Sequence, residues 1–500
     1  MAGCSGSNGG SSGSDSVSFR LFNEVSSLDP ALTADAPGYQ LSMFMYDRLV
    51  VVSDGEVEPY LAESWTVSPT SVEFTMRDDV KCEDGTALTP SAIAASMNRT
   101  LDPSTKSTIA PSLFPGGATF AADDAAGTFT VTTPEPNPAL LVTFANPVMS
   151  VVCPAGLADP SKLGSASFGT GPYVLKDAVA GTSYTLKKRD GYEWGPQPHA
   201  DNLASLPETV TARVLQNETT AANVFLQGDL DVTLAQVESA AERLQGKDYI
   251  EKTSPFAFAF LIFNQAGAPG SDPAVRTAIA QAVDPSAYAT SVRGDLATPS
   301  ANLMPDETVC AQTDGADYRP EFDLDEARKT LEGAGYALNS DGVFEKGGKP
   351  LTLRVGSHNQ EGIVGDYLAQ TLEDLGAVVQ SEQVELPAYI ESVKKGDWDV
   401  YAGTIVVLDS PAALGQTLFG PSGLDLGTIR NDEFEQNMAA AGRSSDFDQA
   451  CELWMTAQDA LVENVDLVPQ AELNNIYVGN GVDFSFGFSG LIEPTSLVRK

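Results

Sequence analysis

The stretch Glu58–Leu101 constrains the fold more than any other part of this 500-residue chain, because it carries strand, turn and helix signals in a fixed order. Val72, Phe74 and Met76 alternate with polar residues, which is the pattern of a strand with one buried face. Asp84–Gly85 then supplies a turn, since glycine reaches positive φ without steric cost. The sequence therefore predicts a packed α+β segment here.

A helix is predicted directly after this turn. Thr89 has the side chain of a good N-cap, and Pro90 at the first helical position loses no hydrogen bond, because that N–H would be unpaired in any case. Apolar residues then recur on one helical face: Ile93, Ala94, Met97 and Leu101. We expect this face to pack against the neighbouring strands.

The length and the net charge limit the classes of protein that this chain can represent. Five hundred residues exceed one ordinary hydrophobic core, so two or three domains are expected. Sixty-eight acidic residues against 29 basic ones give a formal charge of −39, which repels nucleic acid and anionic lipid. Only two histidines are present, His199 and His358, so we expect no metal site and no cofactor.

The N-terminus carries a motif of its own. Ala2–Cys4 matches the end of a bacterial lipobox, in which the cysteine becomes the lipid-bearing first residue of the mature protein. We expect lipidation at Cys4, with a signal peptide upstream that this chain does not include; an ordinary start with an unmodified cysteine is the alternative. Residues 5–16 are nearly all Gly, Ser, Asn and Asp, which predicts a flexible tether with a reach of about 20 Å. No run approaches a membrane span, and Phe256–Phe263 is predicted to be a buried strand.

Several phrases along the chain resemble one known family. They are the stretch of residues 58–101, SSLDP at Ser26–Pro30, MYDRLV at Met45–Val50, FGTGPYVLKD at Phe168–Asp177, QGDLDVTL at Gln227–Leu234, the helix phrase Phe263–Asp284 and the helix phrase Asp323–Tyr336. In this order they closely resemble the extracytoplasmic solute-binding proteins of peptide and nickel ABC importers, known as family 5. The resemblance covers nearly the whole chain after the tether.

The resemblance implies an α/β fold of the periplasmic-binding-protein type, a two-lobed clamp (type II, class C) with an extra inserted α+β domain. The implied parts are a lipoprotein N-terminus and tether at 1–16, lobe I at 17–50, 168–265 and 481–500, an inserted domain at 51–167, and lobe II at 266–480. Crossovers near Phe263–Gln265 and Asn474–Gly481 would form the hinge.

The resemblance also implies a function. The chain would be a monomeric receptor, anchored outside the cell membrane by its lipid, that captures a peptide or peptide-like small solute and delivers it to the permease subunits of an ABC importer. Use of the same scaffold as an adhesin or a sensor is the alternative. An enzyme is not expected, because neither a nucleophile–base constellation nor a GxSxG or HExxH motif is present. Residues 342–350 are predicted to be a hairpin turn and not a phosphate loop.

The implied domain division also bears on the four remaining cysteines. Cys82 and Cys153 fall in the inserted domain, while Cys310 and Cys451 fall in lobe II. The pairing 82–153 with 310–451 is therefore preferred among the three possible ones, since an exported protein can keep disulfides. Four separate buried thiols are the alternative.

Candidate ligand-binding residues follow from the same resemblance. They are Asn23 and Glu24 on the first strand and, on or just beyond the strand at Gly396–Leu408, Trp398, Tyr401, Gly403, Thr404, Ile405, Val406, Val407 and Asp409. Main-chain groups of Gly403–Val406 can pair with an extended ligand. In the peptide-binding branch an Asp that binds the peptide's α-ammonium lies four residues before a proline, and here that position is Val407. This difference leaves N-blocked peptides, other peptide-like solutes and oligosaccharides open.

Overall fold

The computed structural model describes residues 15–53, 55–114, 116–245, 248–267, 269–305, 308–311, 315, 318–359, 361–406, 419, 425–444 and 446–500. Its helices are α1 Ala36–Met45, α2 Pro90–Leu101, α3 Ala110–Leu113, α4 Leu140–Thr143, α5 Pro154–Ala158, α6 Glu218–Leu226, α7 Glu238–Leu244, α8 Pro273–Ala282, α9 Pro285–Arg293, α10 Leu324–Gly333, α11 Val364–Leu375, α12 Leu386–Lys395, α13 Asp432–Ala441 and α14 Phe447–Glu463. Within these residues, none of the helices has the length and apolar composition that a membrane span requires.

The strands are β1 Ser16–Leu21, β2 Val50–Ser53, β3 Glu56–Pro59, β4 Ala62–Ser68, β5 Ser71–Met76, β6 Thr119–Asp123, β7 Thr128–Thr132, β8 Tyr173–Val179, β9 Ser183–Lys188, β10 Thr209–Val214, β11 Val232–Ala235, β12 Ile250–Phe263, β13 Ala297–Pro299, β14 Ala337–Leu338, β15 Phe344–Lys346, β16 Lys349–Pro350, β17 Thr352–His358, β18 Val378–Val384, β19 Val400–Val406, β20 Leu467–Gly479, β21 Val482–Asp483 and β22 Val498–Arg499. A large mixed sheet has the order β18-β17-β19-β12-β20-β11-β1-β10-β9-β8, and β13 also pairs with β20. A separate sheet, β4-β5-β7-β6, belongs to the region between α1 and β8.

The two longest strands, β12 and β20, join the two halves of the large sheet. Along Ala257–Phe263, β12 pairs with β19 and packs in the core that also contains α8 and α11. Along Ile476–Gly479, β20 pairs with β11 on the opposite side of the sheet. The register between β12 and β20 shifts at Pro255–Ala257, but the two strands stay paired on both sides of this shift, from Ile250 to Ile262. The apolar run Ala257–Phe263 is buried where β12 also pairs with β19. The crossover near Phe263–Gln265 stays a prediction.

The region after α1 has a core of its own, as the local signals predict. Within β5, Val72 and Phe74 are fully buried and Met76 is nearly so, while the residues between them are exposed. Thr89 caps α2 by accepting a hydrogen bond from the N–H of Ala92 (3.2 Å). Aromatic rings fill the space below this sheet and helix: Phe74, Phe114, Phe120, Phe129 and Phe144.

Two further helices have side-chain caps, and the hairpin turn has the predicted form. Asp272 caps α8, and Asp323 caps α10 by accepting from the N–H of Glu326 (2.9 Å). Strands β15 and β16 form a hairpin whose turn contains Gly347 and Gly348, both at positive φ. The glycine-rich phrase near residue 345 is thus a turn.

Both cysteine pairs favoured by the implied domain division are disulfide-bonded in the structure. Cys82 is bonded to Cys153, with 71 residues of sequence separation, and Cys310 to Cys451, with a separation of 141. The first bond joins the turn before α2 to the start of α5. The second connects the segment after β13 to α14.

Candidate ligand-binding cleft

A cleft of about 610 Å³ lies between parts of the chain that are far apart in sequence. One wall comes from the β2 end and α4, a second from β12 together with the C-terminal segment, and a third from the segment after β13. The lining residues are Val52, Ser53, Val142, Ala145, Pro198, His199, Lys252, Thr253, Ser254, Pro255, Pro305, Thr308, Val309, Ser485, Phe486, Gly487, Phe488, Ser489 and Gly490. The lining combines apolar side chains with hydroxyl groups, as expected of a small-molecule site.

The β12 wall is held in place by a charged network. The Lys252 ammonium donates to Asp483 Oδ1 (2.9 Å) and to the carbonyl of Phe484, and it lies 5.5 Å from the ring centroid of Phe484. Asp483 also accepts from the Lys500 ammonium (2.9 Å). Burial raises the pKa of Asp483, but the hydrogen bonds from Lys500 and Lys252 outweigh it and lower the pKa to about 2. The network therefore keeps its charges at neutral pH.

The C-terminal wall is a loop in which aromatic and small residues alternate. The Phe486 ring packs against Tyr477 (centroids 5.0 Å apart), while Phe488 meets Tyr39 edge to face (5.7 Å). The Ser254 hydroxyl donates to the Gly490 carbonyl (3.0 Å), and Gly490 lies so close to Ser254 that a Cβ atom there would clash. This loop therefore has to end in glycine to reach β12.

His199 is the titratable group of the cleft nearest to neutral pH. Its Nε2 atom lies 3.1 Å from the Ser485 hydroxyl oxygen. Burial lowers the pKa of His199 from its ordinary 6.5; Glu493 opposes this effect and Lys252 adds to it. The imidazole is therefore neutral at pH 7 and can both donate and accept a hydrogen bond.

A family model for bacterial extracellular solute-binding proteins, family 5 (middle region), matches residues 56–423. The chain belongs to this family. The expected resemblance is thereby confirmed, and so is the expected fold class, an α/β two-lobed binding-protein clamp.

The chain is also similar to individual proteins that are named as binding proteins. The periplasmic murein peptide-binding protein MppA of Escherichia coli K12 is 25% identical over 91% of this chain and 87% of its own length. The periplasmic oligopeptide-binding protein OppA of the same strain is 24% identical over 89% of this chain and 85% of its own length. A substrate-binding protein of Microbacterium hydrocarbonoxydans, solved in complex with 4-hydroxybenzoate hydrazide, is 26% identical, with a TM-score of 0.69 over 97% of this chain and 100% of that one.

Within this family 5 protein, the structure places the two predicted cleft aromatics in the core. Trp398 is 9% exposed, its indole N–H donates to Ser392 Oγ (2.7 Å), and its ring covers Gly356. Tyr401 is fully buried, and burial raises its pKa to about 12. Both rings belong to a cluster beneath α12 and α14 and are not among the residues that line the cleft. On the other face of β19, Val400 and Ala402 pack in a second core, so side chains cover both faces of this strand.

Of the other candidate residues on or just beyond β19, Gly403 and Thr404 contact neighbouring side chains, whereas the later ones lie partly or wholly outside the described residues. A Cβ atom at Gly403 would lie 2.6 Å from the Phe260 ring, so close packing requires this glycine. The Thr404 hydroxyl lies 3.3 Å from His358 Nε2. Ile405 and Val406 continue the pairing with β12, their side chains lying outside the described part of the chain, and Val407 and Asp409 lie outside the described residues altogether.

Asn23 and Glu24 follow β1, which ends at Leu21, and so do not lie on the first strand as predicted. Asn23 is exposed. The Glu24 carboxylate accepts hydrogen bonds from the Gly181 N–H and the Tyr184 hydroxyl, which fixes it to the β8–β9 turn. In the described structure, these hydrogen bonds of Glu24 connect two parts of the fold.

The C-terminal loop 485–490 and the β12 segment 252–255 were missed by the sequence reasoning. The alternation Phe484, Phe486, Phe488 is the one local signal here, and alternation of this kind indicates a half-buried extended segment and not a ligand site. The β12 segment carries no comparable pattern. Its place in the cleft depends on its pairing with β20.

Proposed function

We propose that this chain is the substrate-binding protein of an ABC importer, anchored outside the cell membrane through a lipid on Cys4. It captures a peptide or peptide-like solute in the cleft between its lobes and delivers it to the membrane permease. The observation that carries this proposal is the cleft of about 610 Å³ between distant parts of a family 5 clamp. The names of the relatives MppA and OppA, which bind murein peptide and oligopeptides, support the peptide class.

The chemistry of the lining supports a solute with both apolar and amide character. Valine, proline and phenylalanine side chains offer apolar surface, while Ser53, Thr253, Thr308 and Ser489 offer hydroxyl groups. Neutral His199 adds a donor and an acceptor. A peptide presents the matching groups, since each backbone unit has one N–H and one C=O beside an apolar or polar side chain.

Strand β19 supports a main-chain contribution to binding. One edge pairs with β12 along its whole length, whereas the register with β17 covers only Val400 and Tyr401. Beyond Tyr401, the described backbones of β19 and β17 have no register, although the Thr404 side chain still lies next to His358 of β17. An extended peptide can pair with such an edge as an added strand, which keeps Gly403–Val406 in the proposal.

Binding is coupled to closure by the two crossing strands. The paired strands β12 and β20 connect the halves, since β12 pairs with β19 along Ala257–Phe263 and β20 pairs with β11 along Ile476–Gly479. Rotation of one lobe against the other would therefore bend these two strands between those regions. A ligand that contacts both lobes binds the closed form more tightly and shifts the equilibrium by that difference in affinity. The permease then recognises the closed form.

The cysteines support the anchor. Four of the five cysteines are joined in disulfides, which leaves Cys4 as the remaining thiol. Residues 5–14, between Cys4 and the first strand, have the Gly, Ser and Asn composition that is typical of a linker.

A second candidate ligand class is an uncharged or N-blocked non-peptide solute. The structure of the Microbacterium hydrocarbonoxydans protein, 26% identical to this chain, contains 4-hydroxybenzoate hydrazide. Val407 also replaces the carboxylate that pairs with a peptide ammonium in the peptide-binding branch. This candidate keeps the importer function and changes only the cargo.

Native mass spectrometry of the full chain tests both candidates. Matched pairs of short peptides, each with a free or an acetylated N-terminus, are added together with 4-hydroxybenzoate hydrazide. Binding of either peptide form, with a smaller radius of gyration in X-ray scattering, is the expected result. Binding of the hydrazide alone would select the second candidate, and no binding together with no closure would favour an adhesin or a sensor.

A matched pair of variants connects binding to the cleft. Ser53→Trp places an indole at the β2 wall, whereas Ser64→Trp places the same group on the exposed face of β4. We expect the first variant to bind at least about tenfold more weakly, which corresponds to about 1.4 kcal/mol, and the second to bind like the parent chain. Equal affinities would place the site elsewhere.

A further inference from the structure

A second depression, of about 390 Å³, lies where β8 and β9 meet the segment before α2. We call it the basic depression, because five of the chain's 29 lysines and arginines line it: Lys81, Lys176, Lys187, Lys188 and Arg189. The carboxylates in its lining are those of Glu83 and Asp190. Five cations and two anions leave a charge of +3, on a chain whose formal charge is −39.

The depression has a fixed frame. The Arg189 guanidinium donates to the carbonyls of Lys81 and Cys82, which joins the β9 end to the segment before α2. The same group lies 5.2 Å from the ring centroid of Trp194. The Lys188 ammonium is engaged with the carbonyls of Ala204 and Leu206 (3.3 Å each).

Three lysines of the depression remain available to a partner. Lys81, Lys176 and Lys187 are exposed, and in the described part of the chain none of them has an ion pair. A single lysine on the edge strand β8 is an ordinary protection against strand pairing. Lys81, however, comes from a different sheet region, so edge protection does not account for the convergence of the three.

The strand register places this depression beside the start of the folded chain. Ser16 pairs with Thr209, Thr209 with Lys187, and Lys187 with Val174. Adjacent strands are about 4.8 Å apart, so the Lys187 backbone lies about 10 Å from Ser16. The tether therefore leaves the sheet next to the basic depression.

We propose that the basic depression contacts anionic phospholipid headgroups and orients the anchored protein on its membrane. This inference rests on the proposed lipid at Cys4. Acidic groups farther away than a Debye length of about 8 Å are largely screened in physiological salt, whereas the exposed Asp84 and Asp177, next to Gly85 and Lys176 in the chain, lie closer and make the contact weaker. A chain with the composition of residues 5–16 has an expected reach of about 20 Å, so a lipid on Cys4 would make even a weak contact effectively intramolecular.

Such a contact fits the movement of a clamp. The residues of the depression belong to the region before α2 and to β8–β9, on the β8 side of the sheet. The half that contains β17, β18 and β19 is not involved. The membrane then holds one half of the clamp while the other half remains free to close on the ligand.

The test uses the full chain coupled through the Cys4 thiol to a maleimide lipid, so it does not depend on natural lipidation. Vesicles contain either phosphatidylcholine alone or equal parts of phosphatidylcholine and phosphatidylglycerol. A membrane-impermeant amine reagent labels the lysines, and mass spectrometry gives a rate for each one. We expect Lys81, Lys176 and Lys187 to react about threefold or more slowly on the anionic vesicles, with the protection lost near 1 M salt, where the Debye length is about 3 Å.

Controls separate this contact from general effects. Lys349 and Lys394, both exposed on the other half, should react at the same rate on both vesicles. Lys176→Gln with Lys187→Gln should abolish the protection of Lys81, whereas Lys349→Gln with Lys394→Gln, an equal change of charge, should preserve it. Equal rates on both vesicles, or protection that appears only with the permease present, would overturn the proposal. Intact mass of the exported protein tests the natural lipid separately.

Discussion

The Arg293 guanidinium lies over the ring of Phe256, with its Cζ atom 4.3 Å from the ring centroid. Phe256 lies at the register shift in the pairing of β12 with β20. The Arg293 Nε atom also donates to the Gln236 carbonyl (3.0 Å), and an Nη2 hydrogen bond reaches Asn475 on β20 (3.2 Å). One side chain of α9 thus contacts both crossing strands and the end of β11, and burial lowers its pKa to about 10.

Replacing Arg293 should weaken this junction. Arg293→Leu removes the stacking on Phe256 and leaves the Gln236 carbonyl without its donor, which should cost about 1–3 kcal/mol of the free energy of unfolding. Urea unfolding followed by circular dichroism measures the change. The exposed Arg443→Leu should change stability by no more than about 0.5 kcal/mol. Similar losses in both variants would contradict a specific role for Arg293.

Asp47 is a buried acid surrounded by aromatic donors. It accepts hydrogen bonds from the Tyr60 hydroxyl (2.6 Å) and the Trp194 indole N–H (2.9 Å). Burial raises the pKa of Asp47 above its ordinary 3.8, although these hydrogen bonds oppose the change. The folded protein therefore holds this proton more tightly than the unfolded chain does.

The raised pKa of Asp47 predicts how the free energy of unfolding depends on pH. A raised folded pKa makes the free energy of unfolding fall as the pH rises from about 3.8 to the folded pKa of Asp47, and leaves it level above that pH. Asp47→Asn can still accept from the Trp194 indole and can donate its amide N–H to the Tyr60 hydroxyl oxygen, but it cannot ionise, so its stability should fall less over this range. Urea unfolding at a series of pH values checks this, with the exposed Asp177→Asn as the control. An unchanged slope would refute the assignment.

The lowered pKa of His199 predicts that the free energy of unfolding changes with pH in the opposite direction. Because burial lowers its pKa, the folded protein binds this proton more weakly than the unfolded chain, so stability falls as the pH drops from about 6.5 to the folded pKa. His199→Gln should remove that loss, while Gln197→Asn, at a nearby exposed position, should not. Thermal unfolding between pH 7 and 5 would show the difference as a flatter curve for the first variant. Parallel curves would mean that another group titrates.

The disulfide between Cys82 and Cys153 should be a large contributor to stability. It closes a separation of 71 residues, and its removal in Cys82→Ala with Cys153→Ala should cost about 2–5 kcal/mol. Mass mapping of the unreduced protein should show the 82–153 and 310–451 peptides joined, with none of these four cysteines alkylated. Alkylation of all four without reductant would leave separate thiols as the correct description.

Local sequence patterns predicted local structure well where one physical cause dominates. The strand around Phe74, the cap at Thr89 and the hairpin at Gly347 each depend on neighbouring residues alone. The core positions of Trp398 and Tyr401 could not be predicted from the sequence, because their rings pack beneath α12 and α14, whose placement depends on the tertiary fold. Their role in ligand binding stays a prediction.

The sequence by itself determined that this chain is a family 5 clamp, because its motifs record backbone turns and helix starts that recur in order along the chain. The tertiary structure decided where the cleft lies. Ser53, Lys252 and Phe488 meet across it only because β12 and β20 cross between the halves and the C-terminal loop folds back onto β12. Such meetings depend on sheet order and strand register, which are set by packing between residues hundreds of positions apart.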